Sequence, residues 1–374
     1  MGALEVVFWV CAGLLVYTHA GYPLVLALLA RARRVPPATE LGELPPVSLI
    51  VAAHDEEQVI AAKVANALAL DYPRDRLEVI VASDGSTDRT AELAREAGAD
   101  VVLELPRSGK VPAQNAAAEA ARGELLAFSD ANAAWEPRAL RELVAPFGDE
   151  RVAYACGQAR LLDQGGSNQE GAYWRMELAI RANESALAGV TGGNGAIYAV
   201  RASEYLPLGP AASHDLSFPF MLTKRGRRAV YAPGAVSEEK MVATTEGEFA
   251  RKRRMMRGLF DEVVLDGMLW PRGYGAAYAF EIYSHRILRY ASPLLHLVAL
   301  GTNLALLDAG TIYAFTLAAQ LLVLLAAALA GTLPLLPLRI ARYYVLMTAS
   351  IAAGFWDRVR HGTPGTWEKA EGTR

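Results

Sequence analysis

Four acidic side chains follow closely on short apolar runs. Asp55 and Glu56 come after Val47–Ala52, Asp84 after Leu77–Ala82 and Asp130 after Leu125–Phe128, with Asn132 two residues further on. Apolar runs of this length, alternating with helical stretches, imply buried strands in a largely parallel sheet of an α/β domain. In such sheets ligands sit at the carboxyl ends of the strands, so Asp55, Glu56 and Asp84 would converge on one crevice. A carboxylate there accepts hydrogen bonds from a nucleotide base or ribose. Asp130 and Asn132 place two oxygen-bearing side chains where they can share a divalent cation, Mg²⁺ or Mn²⁺, and the diphosphate it neutralises. An Asp-Gly after a strand is also an ordinary turn, and a single Asp-x-Asn carries little. Three consecutive strands delivering such groups to one edge form a less accidental arrangement.

The elements that must hold these groups follow from the same pattern. Asp55, with Glu56 and Glu57 behind it, reads as the N-cap of a helix reaching about Leu70. A strand is expected over Ala196–Val200, and helices over Glu170–Leu187 and Leu216–Lys224, the second opened by Asp215. The formal net charge of -3 leaves no basic footprint for nucleic acid, which is set aside as a partner. Cys11 and Cys156 are too few and too differently placed for a disulfide framework or a metal cluster, and read as two buried thiols.

The 374 residues exceed what one hydrophobic core usually holds, and the apolar residues are unevenly spread. Val6–Ala30 carries no Asp, Glu, Lys or Arg and is long enough to cross a bilayer, with Arg31, Arg33 and Arg34 following it. That order fits a transmembrane helix with the following domain in the cytoplasm, and fits a cleaved signal poorly. Tyr290–Leu307 and Ala309–Leu338, neither carrying a formal charge, flank Asp308 and read as two further spans joined at Asp308–Gly310. Tyr343–Trp356, too short for a full span and set between basic flanks, reads as an interfacial or re-entrant helix, with a fourth span as the competing reading. The expected domains are an N-terminal transmembrane helix (1–34), a linker (35–46), a cytoplasmic domain (47–245), interfacial helices (246–285), two transmembrane helices (286–338) and a final helix with the tail (339–374).

The stretch from about Val47 to Gly258 resembles family 2 glycosyltransferases of the GT-A fold. The likeness rests on VSLIVAAHDEE at 47–57, DYP at 71–73, VIVASDGSTD at 79–88, GKVPAQNAA at 109–117 and FSDAN at 128–132. It continues in TGGNGAIYAVR at 191–201, HD at 214–215 and EFARKRRMMRG at 248–258. With Gly21-Tyr22-Pro23, Ser284-His285-Arg286 and Trp367-Glu368-Lys369 added, the whole chain is similar to the membrane-bound branch that includes cellulose, hyaluronan and poly-N-acetylglucosamine synthases. The resemblance implies a Rossmann-like nucleotide-diphospho-sugar transferase domain between N- and C-terminal transmembrane helices, in a bacterial-type inner membrane. It implies a nucleotide held by Asp55, Glu56, Asp84, Lys110 and Asp130, with Asp130 and Asn132 at the family's Asp-x-Asp. The family more often has a second Asp where Asn132 stands.

Inverting transfer needs a carboxylate that removes the acceptor's proton, and the resemblance places Asp215 there. Asp215 equally suits a helix cap, and the two roles are compatible. Gly193 and Asn194, in the run Gly192–Gly195, would let backbone approach the acceptor, or form an ordinary loop. Trp174 would line the acceptor path or pack. The basic run Arg251–Arg254 has two readings, attraction of anionic lipid or Arg251 and Arg254 meeting the departing diphosphate. The family's processive members carry Gln-x-x-Arg-Trp here, and Met255 in place of Trp gives no basis for long-chain processivity. The expected reaction moves a hexosyl unit from a nucleotide-diphosphate sugar, UDP-linked, to a glycan or glycolipid acceptor in polysaccharide or cell-envelope synthesis. The alternatives are transfer to polyprenyl phosphate or another lipid, and a non-catalytic subunit of an export complex. Three spans are few for a pore, so export would need a homo-oligomer or a partner.

Overall fold

The computed structural model describes residues 2–33, 42–162, 169–240, 245–333 and 335–362. The first part of the expected linker, to residue 41, and the Trp367–Lys369 tail lie outside these residues. The N-terminal helix runs as α1 (Ala3–Val16), a π-turn at Tyr17–Gly21 and α2 (Tyr22–Ala32). The central domain follows with β1 (Val47–Ala53), α3 (Ile60–Leu68), β2 (Leu77–Asp84), α4 (Thr90–Glu96), β3 (Val101–Leu105), α5 (Lys110–Ala120) and β4 (Leu125–Asp130). The second half adds β5 (Ala134–Trp135), α6 (Ala139–Val144), β6 (Val152–Leu162), α7 (Gln169–Leu187), β7 (Tyr198–Arg201), α8 (His214–Lys224) and β8 (Arg228–Lys240).

All eight strands join one sheet in the order β3-β2-β1-β4-β7-β6-β8-β5. β3, β2, β1 and β4 are mutually parallel, and β7 runs against both β4 and β6, while β6 and β8 are parallel again. The mostly parallel α/β sheet expected from the sequence is therefore present, with antiparallel β7 at its centre. Every residue of β1 is buried because helices cover both faces, which is why its sequence reads as an unbroken apolar run. The register brings strand ends level: Ala52 of β1 pairs with Ala82 of β2 and with Asp130 of β4. Strand-end side chains of the three strands accordingly share one edge.

The helix after β1 begins later than expected. α3 starts at Ile60 with Val59 at the N-cap, not Asp55. Asp55 adopts a left-handed backbone (φ 49°) and its Oδ1 accepts hydrogen bonds from Thr87 N (2.7 Å) and Thr87 Oγ1 (3.3 Å). The carboxylate serves the loop after β2, so it is not available to cap a helix.

Beyond β8 come α9 (Thr245–Met255), a π-turn at Asp261–Leu265, α10 (Ala276–Glu281), α11 (Leu288–Ala305), α12 (Thr311–Leu329) and α13 (Leu336–His361). A short turn at Leu307–Ala309 joins α11 to α12, where the sequence placed it. Among the described residues two helices, Ala3–Ala32 and Thr311–Leu329, are long and apolar enough to cross a membrane by length and composition. α11, the other helix expected to span, is not among them; it is 18 residues long and carries Arg289 near its start. α13 is one 26-residue helix that reaches well past the apolar stretch Tyr343–Trp356 at both ends.

Candidate active site

Of the three carboxylates expected to face a nucleotide, Asp55 stays partly exposed, whereas Glu56 and Asp84 are buried. Glu56 N donates to Thr90 Oγ1 (2.7 Å), tying the end of β1 to the start of α4. The Asp84 carboxylate accepts hydrogen bonds from Arg107 Nη1 (3.0 Å), Ser108 N (2.6 Å) and Gly109 N (3.1 and 3.0 Å). Its work is to fasten the 107–109 loop, and with it the start of α5, against the end of β2. Lys110 is the first residue of that helix, so Asp84 acts on the crevice by placing Lys110.

Lys110 is the hub of the crevice. Its ammonium pairs with Asp130 at the end of β4. Burial alone would depress its pKa, but Asp130, with help from the charges of Asp215 and Glu239, outweighs burial and raises it. Those three carboxylates come from β4, α8 and β8. Glu239 is pushed up to about 7, mainly by burial and then by the charge of Asp130, with Arg251, Lys110 and Lys63 opposing. Among the described residues its Oε1 is buried without a hydrogen-bond partner. Among the same residues no group of three or more His, Cys, Asp or Glu is disposed to cage a metal ion. The donor set suits instead a hard cation held by one or two carboxylates and completed by substrate phosphates.

Asp215 lies in the first turn of α8, and the N-cap is Ser213, so a purely capping role for Asp215 falls away. The neighbouring His214 is buried against Phe128 and Phe218, with Nδ1 2.7 Å from Tyr198 Oη. Burial first, then the charge of Lys110, lowers its pKa to about 3, so it stays neutral and adds no charge beside Asp215. The glycine run packs against this turn: Gly193 N donates to Asp215 O (2.6 Å), and a Cβ at Gly195 would stand 3.8 Å from the Asp215 carboxyl carbon. A Cβ at Gly193 would run into the Tyr154 hydroxyl, which is why backbone alone fits there. Asn194 Oδ1 accepts from Ala196 N (3.1 Å) and shapes the loop itself. Trp174 Nε1 donates to Ala159 O (3.1 Å), so its polar end fastens α7 to β6.

The basic run on α9 divides between two faces. Arg253 reaches Asp357 of α13 through Nε and Nη2 (2.7 Å each), and Arg257 reaches the same carboxylate (3.2 Å). Arg251 bears electrostatically on Glu239, on the crevice side, and Arg254 lies one turn further along α9.

A family model described as glycosyl transferase family 2 matches residues 48–202, from β1 to the start of the turn that follows β7. These residues form a family 2 glycosyltransferase domain. The chain is similar to a probable glycosyltransferase, YdaM, of Bacillus subtilis, at 33% identity over 35% of this chain and 34% of that protein. It is also similar to a beta-monoglucosyldiacylglycerol synthase of Nostoc sp., at 40% identity over 30% of this chain and 25% of that protein. The chain thus spans about a third or less of the length of these curated relatives. A solved mannosyltransferase of Pyrobaculum calidifontis, PcManGT, in complex with GDP-Man and Mn²⁺, superposes with a TM-score of 0.70. Identity there is 23%, over 94% of this chain and 99% of that one. The GT-A fold expected of the glycosyltransferase domain is the fold observed, and the likeness extends into the flanking helices.

Three ionisable residues, the buried Lys63 and Glu262 and the half-buried Glu239, carry no motif. Lys63 lies on the buried face of α3 with Ile60, Val64 and Ala67, donates to Ala133 O (2.7 Å), and is lowered to about 7 by burial against the pull of Asp130 and Glu239. A lysine inside an otherwise apolar helical stripe was its only signal. Glu239 and Glu262 gave none, since segments distant in sequence bury them.

Proposed function

We propose that the chain is a membrane-anchored inverting glycosyltransferase that moves a hexosyl unit from a nucleoside-diphosphate sugar to a glycan or glycolipid acceptor. The observation that carries this reading is the Lys110–Asp130 pair, with Asp215 and Glu239 near enough for their charges to act on the same ammonium. One crevice thereby offers an anchor for a diphosphate and a carboxylate for a proton. A divalent cation would take oxygens from Asp130 and Asn132, and Glu239, whose Oε1 is buried without a hydrogen-bond partner among the described residues, lies near enough for the Asp130 charge to act on it. When bound, Mg²⁺ or Mn²⁺ would neutralise the diphosphate. Asp55 and the loop that Asp84 fastens would border the nucleotide. Asp215 takes the proton of an acceptor hydroxyl as that oxygen bonds to the anomeric carbon and the bond from that carbon to the diphosphate breaks. Lys110, Arg251 and Arg254 meet the charge that the leaving diphosphate gains.

The exposed apolar side chains of Ala3–Ala32 and Thr311–Leu329, among them Val10, Val16, Leu24, Phe315 and Leu322, support a lipid environment for both. A second reading, transfer to a lipid phosphate such as polyprenyl phosphate, is favoured by two guanidinium groups beside the glycine loop. Arg181 Nη2 donates to Gly193 O (3.0 Å) and Arg286 Nε to Thr191 Oγ1 (3.1 Å). An ionised phosphate needs no base, so Asp215→Asn separates the two. The test is incubation of membranes with labelled UDP- and GDP-sugars and Mg²⁺ or Mn²⁺. Label in a glycan or glycolipid fraction supports the first reading, label in lipid phosphate supports the second, and no incorporation from any donor overturns both.

A further inference from the structure

Asp261 and Glu262 are adjacent on the π-turn after α9, and they are engaged in opposite directions. Glu262 is 3% exposed, and its Oε1 accepts hydrogen bonds from Ser213 N (2.7 Å), Ser213 Oγ (2.5 Å) and Ser217 Oγ (3.2 Å). Ser213 is the N-cap of α8, where a serine hydroxyl ordinarily bonds back to the first N–H groups of its own helix. That bond is absent, and the hydroxyl is given to Glu262 instead. His214, the next residue, is pinned to Tyr198. The backbone that carries Asp215 is therefore held from the sheet and from the segment after α9, besides the Gly193 N–Asp215 O hydrogen bond.

Asp261 faces the other way. Its carboxylate accepts from Arg358 of α13, Nε at 3.1 Å to each oxygen and Nη2 at 2.7 Å. The preceding residue on α13, Asp357, holds Arg253 and Arg257. Two adjacent residues of α13 thus make pairs of opposite polarity with the start and the end of the 253–262 segment. The helices also approach closely, since a Cβ on Gly354 would collide with Met256 Cβ (2.5 Å) and Arg253 O (2.8 Å). Phe260 and Phe355 add a ring contact at 5.9 Å.

We infer that Glu262 is the positioning residue for the Asp215 base, and that the Asp261–Arg358 pair holds Glu262 in place, so that the docking of α13 sets the geometry of the base. This rests on Asp215 acting as the base. Glu262 does not touch substrate; it works through the start of α8. Its acid is pushed up to about 8, mainly by burial, with the Ser213 hydrogen bonds opposing and the Asp215 charge adding. At neutral pH it is an uncharged hydrogen-bond acceptor, a role that a glutamine can fill.

The test compares the full chain in detergent as wild type, Glu262→Leu, Glu262→Gln, Arg358→Gln and Asp215→Asn. It measures kcat, the KM for the donor, and nucleoside-diphosphate binding by calorimetry. Misplacement of a reacting group by about 1 Å can cost on the order of 100-fold in rate, so losses of roughly 10- to 100-fold are within reach of a small displacement. Glu262→Leu is expected to lose kcat in that range with donor KM and nucleotide binding unchanged, and Glu262→Gln to recover most of it. Arg358→Gln, on the outer side of the link, is expected to lower kcat in the same direction by less. Should the leucine substitution prevent folding, Arg358→Gln alone decides, because an unchanged kcat there overturns the inference. Loss of nucleotide binding in step with kcat would mark a general structural role and also overturn it. If Asp215→Asn is inactive while Glu262→Leu and Arg358→Gln turn over normally, the inference fails and the base reading stands. If Asp215→Asn itself remains active, the base reading fails first.

Discussion

Lys110 already pairs with Asp130, so a divalent cation arriving at that carboxylate must share it with an ammonium or displace it. At an effective dielectric of about 20, two like unit charges about 4 Å apart repel by roughly 4 kcal/mol, and a divalent cation doubles that, so removing the ammonium should be readily measured. Lys110→Met is expected to tighten Mn²⁺ binding by about tenfold or more in the absence of nucleotide, and Asp130→Ala to abolish it, both read by Mn²⁺ paramagnetic resonance. Glu262 leads to a second prediction. Its folded pKa, about 8, lies above the usual glutamate value, so its contribution to stability is complete below about pH 4.5 and is lost as pH rises through 8. The titratable groups that bear on it include Asp215 on α8 and Tyr290 on α11. Thermal unfolding of Glu262→Gln should therefore fall less than that of wild type between pH 5 and pH 9, and equal slopes would contradict the burial of a neutral acid. Asp55, Asp84 and Asp130 were legible in the sequence because a strand end is marked by the residue at which the apolar run stops. The inward turn of the Asp84 carboxylate was not legible, since its partners lie at Arg107–Gly109 and come to it only through the β2–β3 pairing.

At the scale of elements, the strands β1, β2 and β4 were readable as apolar runs and α7 as a helical stretch, but the start of α3 was not. Asp55 followed by two glutamates has the composition of a helix start, and the loop contact with Thr87 overrides that local preference. Under the proposed function, the acceptor side rests on the glycine loop before β7. Gly193→Ala would force a methyl group into the Tyr154 hydroxyl, and overpacking of this kind costs about 1–3 kcal/mol. Because Gly193 N also donates to Asp215 O, the same change should lower kcat while leaving nucleotide binding intact. Calorimetry with a nucleoside diphosphate beside a turnover assay checks it, and unaltered turnover would count against a role for the loop.

At the scale of the whole molecule, the terminal helices fold back together on the glycosyltransferase domain. α1 packs along α11, α12 along α13, and α13 along α9, the helix that carries the basic run. Composition made the apolar segments visible. It could not reveal that α13 carries an Asp357–Arg358 pair matched to residues far earlier in the chain, because charges of either sign at a helix end look like ordinary solvated residues. A lipid environment for α1–α2 and α12 predicts that alkaline carbonate leaves the chain in the membrane pellet, and recovery in the supernatant would oppose it.

The most direct measurement follows sugar transfer and nucleoside-diphosphate release by wild type and Asp215→Asn under one set of donor and Mn²⁺ concentrations. With Asp215 as base at a crevice built on Lys110 and Asp130, transfer should fall by about 10²- to 10⁴-fold while donor binding persists. Transfer at the wild-type rate by Asp215→Asn would contradict the account.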